Sequence, residues 1–512
     1  MEADYIVVGT GSTGSVLAGR LSDDPSVRVV ALEAGPRDKD KFIRIPAGFA
    51  RLFRGPMDWN YLTEPQKELD GREIYWPRGK MVGGSSSMNA MMWVRGFAAD
   101  YDEWGRAAGE QWDYAHLEPY LRRIEAGPLS ISPQRSPRSS TAKWLIAAEQ
   151  CGYRIEKPNQ AAPEGFCETL VTQRRGSRWS AADAYLKPAL KRGNLTLETE
   201  TLASRVIFDG RRAVGVEVHQ GGVRRVITAR REVVLCGGAI NSPQLLMLSG
   251  IGDGEHLSDH GIPTLVHAPN VGTNLLDHLV ATLGFDVPGD SLFGAEKPLQ
   301  LLNYLLRRRG MLTSNVGEAY GFVRSRPDLA LPDLELIFAP APYFEEGIGD
   351  PYDTHAVVLG AILLKPDSSG TIELRSPDPA DKPIIDPHYL SDAAGADRAA
   401  LLAGLRMCAT IAQASALEEV IGRIARPVGA STLDDETLER ALTASSHTLY
   451  HPVGTCRMGR DDASVVDPQL RVRGVENLRV ADASVMPTII RGHTHAPSVL
   501  IGEKAADLIR AG

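Results

Sequence analysis

Two histidines close to the C-terminal end, His451 in YHPVGTCRMG (450–459) and His493 in PTIIRGHTHAPS (487–498), are the side chains best suited to proton chemistry. An imidazole with an unperturbed pKa of ~6.5 takes up and returns a proton near neutral pH. At the opposite end the chain reads GTGSTG, with Gly9, Gly11 and Gly14 in G-x-G-x-x-G spacing around Ser12 and Thr13. Glycines so placed permit a tight turn and let backbone N–H groups approach a pyrophosphate at a helix N-terminus. A phosphate cradle and a proton acceptor form one site only if the fold brings the two ends together.

The elements around the turn are those that a cradle requires. Tyr5 to Val8 is a continuous apolar run, as expected of a parallel strand buried on both faces. Ser12 to Leu21 carries small and apolar residues at helical spacing, and Val27 to Leu32 reads as a second strand. Glu33 follows Gly14 by 19 residues, near the ~20-residue offset at which an acid reaches ribose hydroxyls, and Ala34 adjoins it. This register predicts dinucleotide binding without separating NAD from FAD. Further on, Leu195–Glu200, Arg205–Phe208, Ala213–His219 and Val223–Ala229 predict a meander, and Arg231–Leu235 a buried strand after it. From about Val287 to Ser446 the texture changes. Strands at Asp333–Phe338 and Val357–Leu364, a Pro-rich loop at Arg375–Pro387 and a helix over Ala394–Gln413 read as a second, inserted domain.

Composition narrows the classes. The 512 residues are 43% apolar and 23% charged, ordinary for a globular protein, and the net charge of −8 argues against a nucleic-acid surface. The basic run Arg307–Arg309 has no interleaved aromatics and reads as a solvated helix face. Five cysteines without a CxxC pair suit a reducing compartment, the cytoplasm, and indicate neither a disulfide framework nor a metal site. Cys456 reads as a buried small residue. No run of ~18 apolar residues and no signal peptide is legible. The other histidines (His116, His219, His256, His260, His267, His278, His355, His388, His447) lack metal-ligand spacing and read as surface or structural.

PRGKMVGGSSSMNAMMWVRG (77–96) and GAINSPQLLMLSGIG (238–252) resemble the two signatures of the glucose–methanol–choline (GMC) oxidoreductase family. SAADAYLKPA (180–189), VGTNLLDHL (271–279), LTSNVGEAYGFVRS (312–325) and RVADASVMPT (479–488) are similar to further family segments. The resemblance spans nearly the whole chain, closest to choline-dehydrogenase-like and aryl-alcohol-type bacterial members. It implies an α/β (α+β) fold with a Rossmann-like FAD-binding domain (1–155, 191–286, 447–512). A substrate domain on an antiparallel sheet (156–190, 287–446) is inserted in it.

By the same resemblance, Arg78, Val82, Gly83, Gly84, Ser87, Asn89, Ala90 and Met91 would approach the flavin. Tyr450 and Thr494 would flank it, and Asp482 and Ala483 would meet the pyrophosphate and ribityl end. The backbone of Val206 would meet the adenine. Several family members attach FAD through a histidine where this chain has Met88, so FAD is expected to be non-covalent. His451 matches the principal catalytic histidine, and His493 the second position, which orients the alcohol oxygen. His493-Thr494-His495 departs from the Asn-x-Asn common in the nearest subgroup; His495 is expected to be a supporting partner. Phe338, Tyr343 and Phe344 are candidates for an aromatic substrate wall.

The implied reaction is oxidation of a primary alcohol, small or aryl-type, to the aldehyde by hydride transfer to flavin N5. Electrons would pass to O2, a quinone or another acceptor; quinone-linked relatives leave peripheral membrane contact open. The alternatives are a family-type lyase that cleaves cyanohydrins with structural FAD, and an NAD-dependent dehydrogenase. The latter leaves Gly83-Gly84 and His451 unexplained.

Overall fold

The strand Glu2–Val8, buried from Ala3 onward, pairs in parallel with Val29–Leu32 on one side and with the end of Val223–Leu235 on the other. Burial on both faces accounts for its unbroken apolar sequence. The computed structural model to which this strand belongs describes residues 1–344 and 352–512. Across the sheet the order is Leu202–Asp209, Arg212–Gln220, Val223–Leu235, Glu2–Val8, Val29–Leu32, Leu195–Glu198, and Leu478–Val480 pairs in parallel with Val233–Leu235.

Two expectations about this sheet are corrected. Leu195–Glu198 does not start the meander but pairs in parallel with Val29–Leu32 at the opposite edge. The expected break between Ala229 and Arg231 is absent: Val223–Leu235 is one 13-residue strand. Its first half pairs antiparallel with Arg212–Gln220 and its second half runs parallel to Glu2–Val8. The polar residues Arg230, Arg231 and Glu232 mark a change of partner, not an end of extended backbone.

The second sheet is antiparallel throughout, in the order Ile424–Arg426, Leu279–Asp286, Ala356–Leu363, Leu334–Ala339, Ala319–Val323, Phe166–Glu168, with His447–Thr448 also on Leu279–Asp286. Period-2 alternation assigns its faces. Leu334 and Ala361 meet the helix Ala396–Ala412 at Gly404, where an added Cβ would lie 2.7 Å from Ala361 Cβ. Phe338 stacks on Trp144 of the helix Ser139–Gln150, with ring centroids 5.5 Å apart. Ile337 and Ala339, of opposite parity, line the cavity described below.

The sheets shift the expected domain edges. Leu279–Asp286 belongs to the antiparallel sheet, so the crossover lies before Leu279, not after residue 286. Helix Ser139–Gln150 packs on that sheet too, ahead of residue 155, and His447–Thr448 joins it beyond residue 446. The chain crosses between sheets within continuous segments, which composition does not mark.

Candidate active site

Residues from both sheets enclose a cavity with about 340 Å³ of room for water-molecule centres. Its floor at one end is the glycine turn. Gly9 has φ +98°, and a Cβ there would lie 2.5 Å from Cys236 O; one on Gly14 would lie 2.0 Å from Gly9 O. A Cβ on Gly11 would meet nothing within 4 Å. The turn is thus closed on its protein side and open toward the cavity. Two helices start there, Ser12–Leu21 and His495–Arg510, tied by Thr13 Oγ1 donating to Ser498 O (2.8 Å). Their N-termini supply free N–H groups and positive dipole ends that favour an anionic ligand.

Glu33 lines the cavity, and its carboxylate accepts from Thr10 N, Thr10 Oγ1 and Gly35 N. Burial pushes its pKa up. Asp482 accepts from Gly238 N (2.8 Å), Ser242 Oγ (2.6 Å), Ser484 N (2.8 Å) and Ser484 Oγ (2.6 Å), pinning the Gly238–Leu248 helix to the C-terminal turn. His495 meets Ser12 Oγ through Nδ1 (3.1 Å), while its buried Nε2 has no partner among the described residues. An open cradle, two helix N-termini and an orphaned imidazole nitrogen fit the diphosphate and polar ring edge of FAD.

The Gly-Ser loop closes over the turn. Gly83 and Gly84 have φ +91° and +50°, and a Cβ on Gly84 would lie 2.7 Å from Gly11 Cα. Arg178, buried beneath this loop, donates to Ser86 O (3.3 Å), Asn89 Oδ1 (2.6 Å) and Ile43 O (2.9 Å). Burial lowers its pKa to about 9. Arg78 donates to Tyr450 O (2.7 Å) and so joins the loop to the histidine segment.

At the far end the rings of His451 and His493 meet edge to face, centroids 4.6 Å apart. Behind His451 stands His278, Nδ1 to Nδ1 at 2.9 Å, while His278 Nε2 lies 3.1 Å from Leu364 O. A carbonyl only accepts, so His278 Nε2 carries the hydrogen and its Nδ1 accepts one. His451 Nδ1 is therefore the donor, and its Nε2 keeps the lone pair. Asp277 Oδ1 accepts from His451 N (2.8 Å), and Asp277 Oδ2 accepts from Thr448 Oγ1 (2.6 Å). His493 Nε2 donates to Glu335 Oε1 (2.9 Å); Glu335 is fully buried and its Oε2 has no partner among the described residues.

Burial, with neighbouring His493 next, pushes the His278 pKa down to about 3 and that of His451 well below 6.5. These folded values lie below the unfolded ~6.5. Each histidine thus adds stability that is present above pH ~6.5 and lost as pH falls through it toward the folded value. The slope is about 1.4 kcal/mol per pH unit for each group. We expect the thermal midpoint to drop from pH 6.5 to 4.5, and His278→Asn to shallow that slope by about one proton. A midpoint independent of pH over that range would refute this account of the pair.

Of the residues expected at the cofactor, Gly9, Gly11, Ser12, Thr13, Glu33, Ala34, Arg78, Gly84, Asn89, Ala90, Met91, Tyr450, Asp482, Ala483, His493 and Thr494 line the cavity, as do Met88 and His451. Gly14, Val82, Gly83 and Ser87 lie behind it and shape the turn and loop; Ser87 Oγ donates to Val82 O (2.9 Å). Val206 is buried and its N–H donates to Ser249 Oγ (2.9 Å), and on the same strand Leu202 and Ala203 line the cavity. Phe338 faces Trp144, and Phe344 packs on Gly284 and Tyr352, so of the three aromatic candidates only Tyr343 lines the cavity. Phe49 and Phe53 join it. His495 is tied to Ser12 at the glycine turn, and Cys456 is fully buried.

His278 and Glu335 carry the histidine pair and were missed. Glu335 announced itself as an acid inside the apolar strand LELIFA (334–339), at the parity of Ile337 and Ala339. His278 sits in the VGTNLLDHL block and reads from sequence as a surface or structural histidine, because no spacing ties it to His451.

Comparison with known proteins agrees with this geometry. Residues 3–280 and 366–502 match the N- and C-terminal parts of the GMC oxidoreductase family. The chain is 66% identical to an uncharacterized GMC-type oxidoreductase of Mycobacterium tuberculosis, over 100% of this chain and 99% of that protein. It is 42% identical to the mitochondrial choline dehydrogenase of Homo sapiens, over 99% and 90%. Among solved structures, pyridoxine 4-oxidase from Mesorbium loti superposes with a TM-score of 0.89 at 30% identity, covering 100% and 99% of the two chains. With its glycine turn, its Gly-Ser loop and its histidine pair around one cavity, this chain belongs to the GMC oxidoreductase family and is an oxidoreductase.

Proposed function

We propose that this protein oxidises a primary alcohol, small or aryl-type, to the aldehyde, with FAD held non-covalently between the glycine turn and the histidine pair. The observation that carries this reading is the His278–His451 hydrogen bond, because it leaves a lone pair on His451 Nε2. His451 takes the hydroxyl proton there, and its Nδ1–H stays bonded to His278 as the imidazolium forms. His493 orients the alcohol oxygen through its other nitrogen, and the buried Glu335 behind it fixes the ring through Nε2. Bound FAD supplies the hydride acceptor. Met88, with no nucleophilic nitrogen, leaves the flavin unattached.

On the substrate side the cavity is walled by Val280, Thr282, Val316, Ile337, Ala339 and Val358, with Phe49 and Tyr343. Among the described residues on that side no acidic side chain lines the cavity to pair with a quaternary ammonium, which favours an uncharged apolar or aryl alcohol over choline. We assign the mixed sheet that carries the glycine turn to the cofactor and the antiparallel sheet to the substrate.

The test is anaerobic mixing of the purified protein with aliphatic, aryl and amino alcohols while flavin absorbance is followed. Bleaching by benzyl-type alcohols and not by choline is expected; bleaching by choline alone would overturn the substrate assignment. Colour that returns at once in air marks an oxidase, and colour that stays bleached marks a dehydrogenase using another acceptor. Glu335→Gln keeps a hydrogen-bonding group but removes the charge. A charge-assisted hydrogen bond worth ~1.5–3 kcal/mol predicts flavin reduction slower by about 10- to 100-fold. An unchanged rate in Glu335→Gln would limit Glu335 to packing.

A further inference from the structure

The helix Pro298–Arg307 turns its leucines outward. Leu299, Leu301, Leu302, Leu305 and Leu306 are between 41% and 74% exposed. They are five of the twelve large apolar side chains exposed among the described residues, concentrated on ten residues of chain. At 100° per residue they fall within an arc of about 160° on a helix about 15 Å long. The inward side is the polar one. Tyr304, buried, donates to Arg44 O (3.0 Å) and meets Ser177 Oγ (2.9 Å). Gln300 and Asn303 fold back against Gly310, within 3.1 and 2.6 Å of where its Cβ would be. A surface helix ordinarily buries its apolar stripe; this one is anchored by polar contacts and leaves the stripe bare.

The flanks of the stripe are basic in a chain whose net charge is −8. Lys297 precedes the helix, and Arg307 and Arg309, both exposed, end it. Glu296, an exposed acid beside Lys297, is paired with Arg51. Arg51 belongs to Pro46–Leu52, the segment whose Phe49 lines the cavity. Exposed leucines between cationic ends match an anionic bilayer, which accepts apolar side chains at its acyl boundary and attracts Lys and Arg at its headgroups. Among the described residues no helix is long and apolar enough to cross a membrane.

We propose that the Pro298–Arg307 helix is an interfacial anchor that docks this protein on anionic phospholipid bilayers beside the aromatic wall of its cavity. The proposal is independent of the reaction assigned above. Its test is flotation of the flavin-loaded enzyme with vesicles of phosphatidylglycerol and phosphatidylcholine, or of phosphatidylcholine alone. Two variants accompany it, Leu302→Glu with Leu306→Glu, and Arg307→Glu with Arg309→Glu. Wild type is expected to float with the anionic vesicles, and both double variants to lose more than about tenfold in partitioning. Binding should weaken as salt is raised. Turnover of a water-soluble alcohol without lipid should be unchanged, so folding is controlled for. Absence of flotation at low salt, or equal flotation of the leucine variant, would overturn the proposal. A concentration-dependent dimer that only the leucine variant dissolves, without vesicle binding, would also overturn it and assign the face to a second copy of the chain.

Discussion

Replacing His451 with alanine is expected to leave a yellow protein whose flavin is reduced by alcohol about 10²- to 10⁴-fold more slowly, the usual worth of a positioned base. The expectation rests on which nitrogen is free. His278 holds Nδ1 of His451 at 2.9 Å and is itself oriented by Leu364 O, so the ring presents Nε2 as acceptor. Burial keeps both rings neutral well below pH 6.5. Rapid-reaction measurement of anaerobic flavin reduction is the direct readout. Equal rates in variant and wild type would remove His451 from proton transfer and leave His493, with Glu335 behind it, as the base. A colourless variant would instead make His451 a structural residue of the flavin pocket. His278→Ala should slow reduction less than His451→Ala, since it frees the ring to rotate without deleting it.

Gly14→Ala is expected to abolish flavin binding. Its methyl would lie 2.0 Å from Gly9 O and 3.0 Å from Cys236 Cβ, both in the packed floor of the turn, so the turn itself must open. Gly11→Ala isolates the cofactor from the fold. A Cβ at Gly11 meets no protein atom within 4 Å, so the flavin-free protein should melt as wild type does. The methyl enters space that the diphosphate needs, and overpacking costs of ~1–3 kcal/mol predict FAD binding weakened by about tenfold or more. Flavin content and flavin-free melting midpoints of the two variants check this. Full flavin occupancy in Gly14→Ala would show that the turn does not carry the cofactor.

Much of the site was legible because its residues are constrained locally. The glycine turn follows from spacing, and the strand before it from an apolar run that only two-sided burial explains. Met88, Asn89, Asp482 and His493 followed from motif position, and each lines the cavity. The failures share another origin. A period-2 strand reports parity but not which face the cavity occupies. Phe338 failed for that reason: the strand was recognised, and its face was decided by Trp144 on a distant helix.

By itself the sequence determined the α/β character, the cofactor turn, the histidine segments and the family, since each resides in a short stretch whose spacing carries its own physical reason. Only the tertiary structure decided that His278 stands behind His451 across 173 residues, and Glu335 behind His493 across 158. It also decided that a 13-residue strand serves two partners and that five leucines face outward. Those outcomes depend on which surfaces meet, and contact between distant segments leaves no periodicity in the chain for a reader to find.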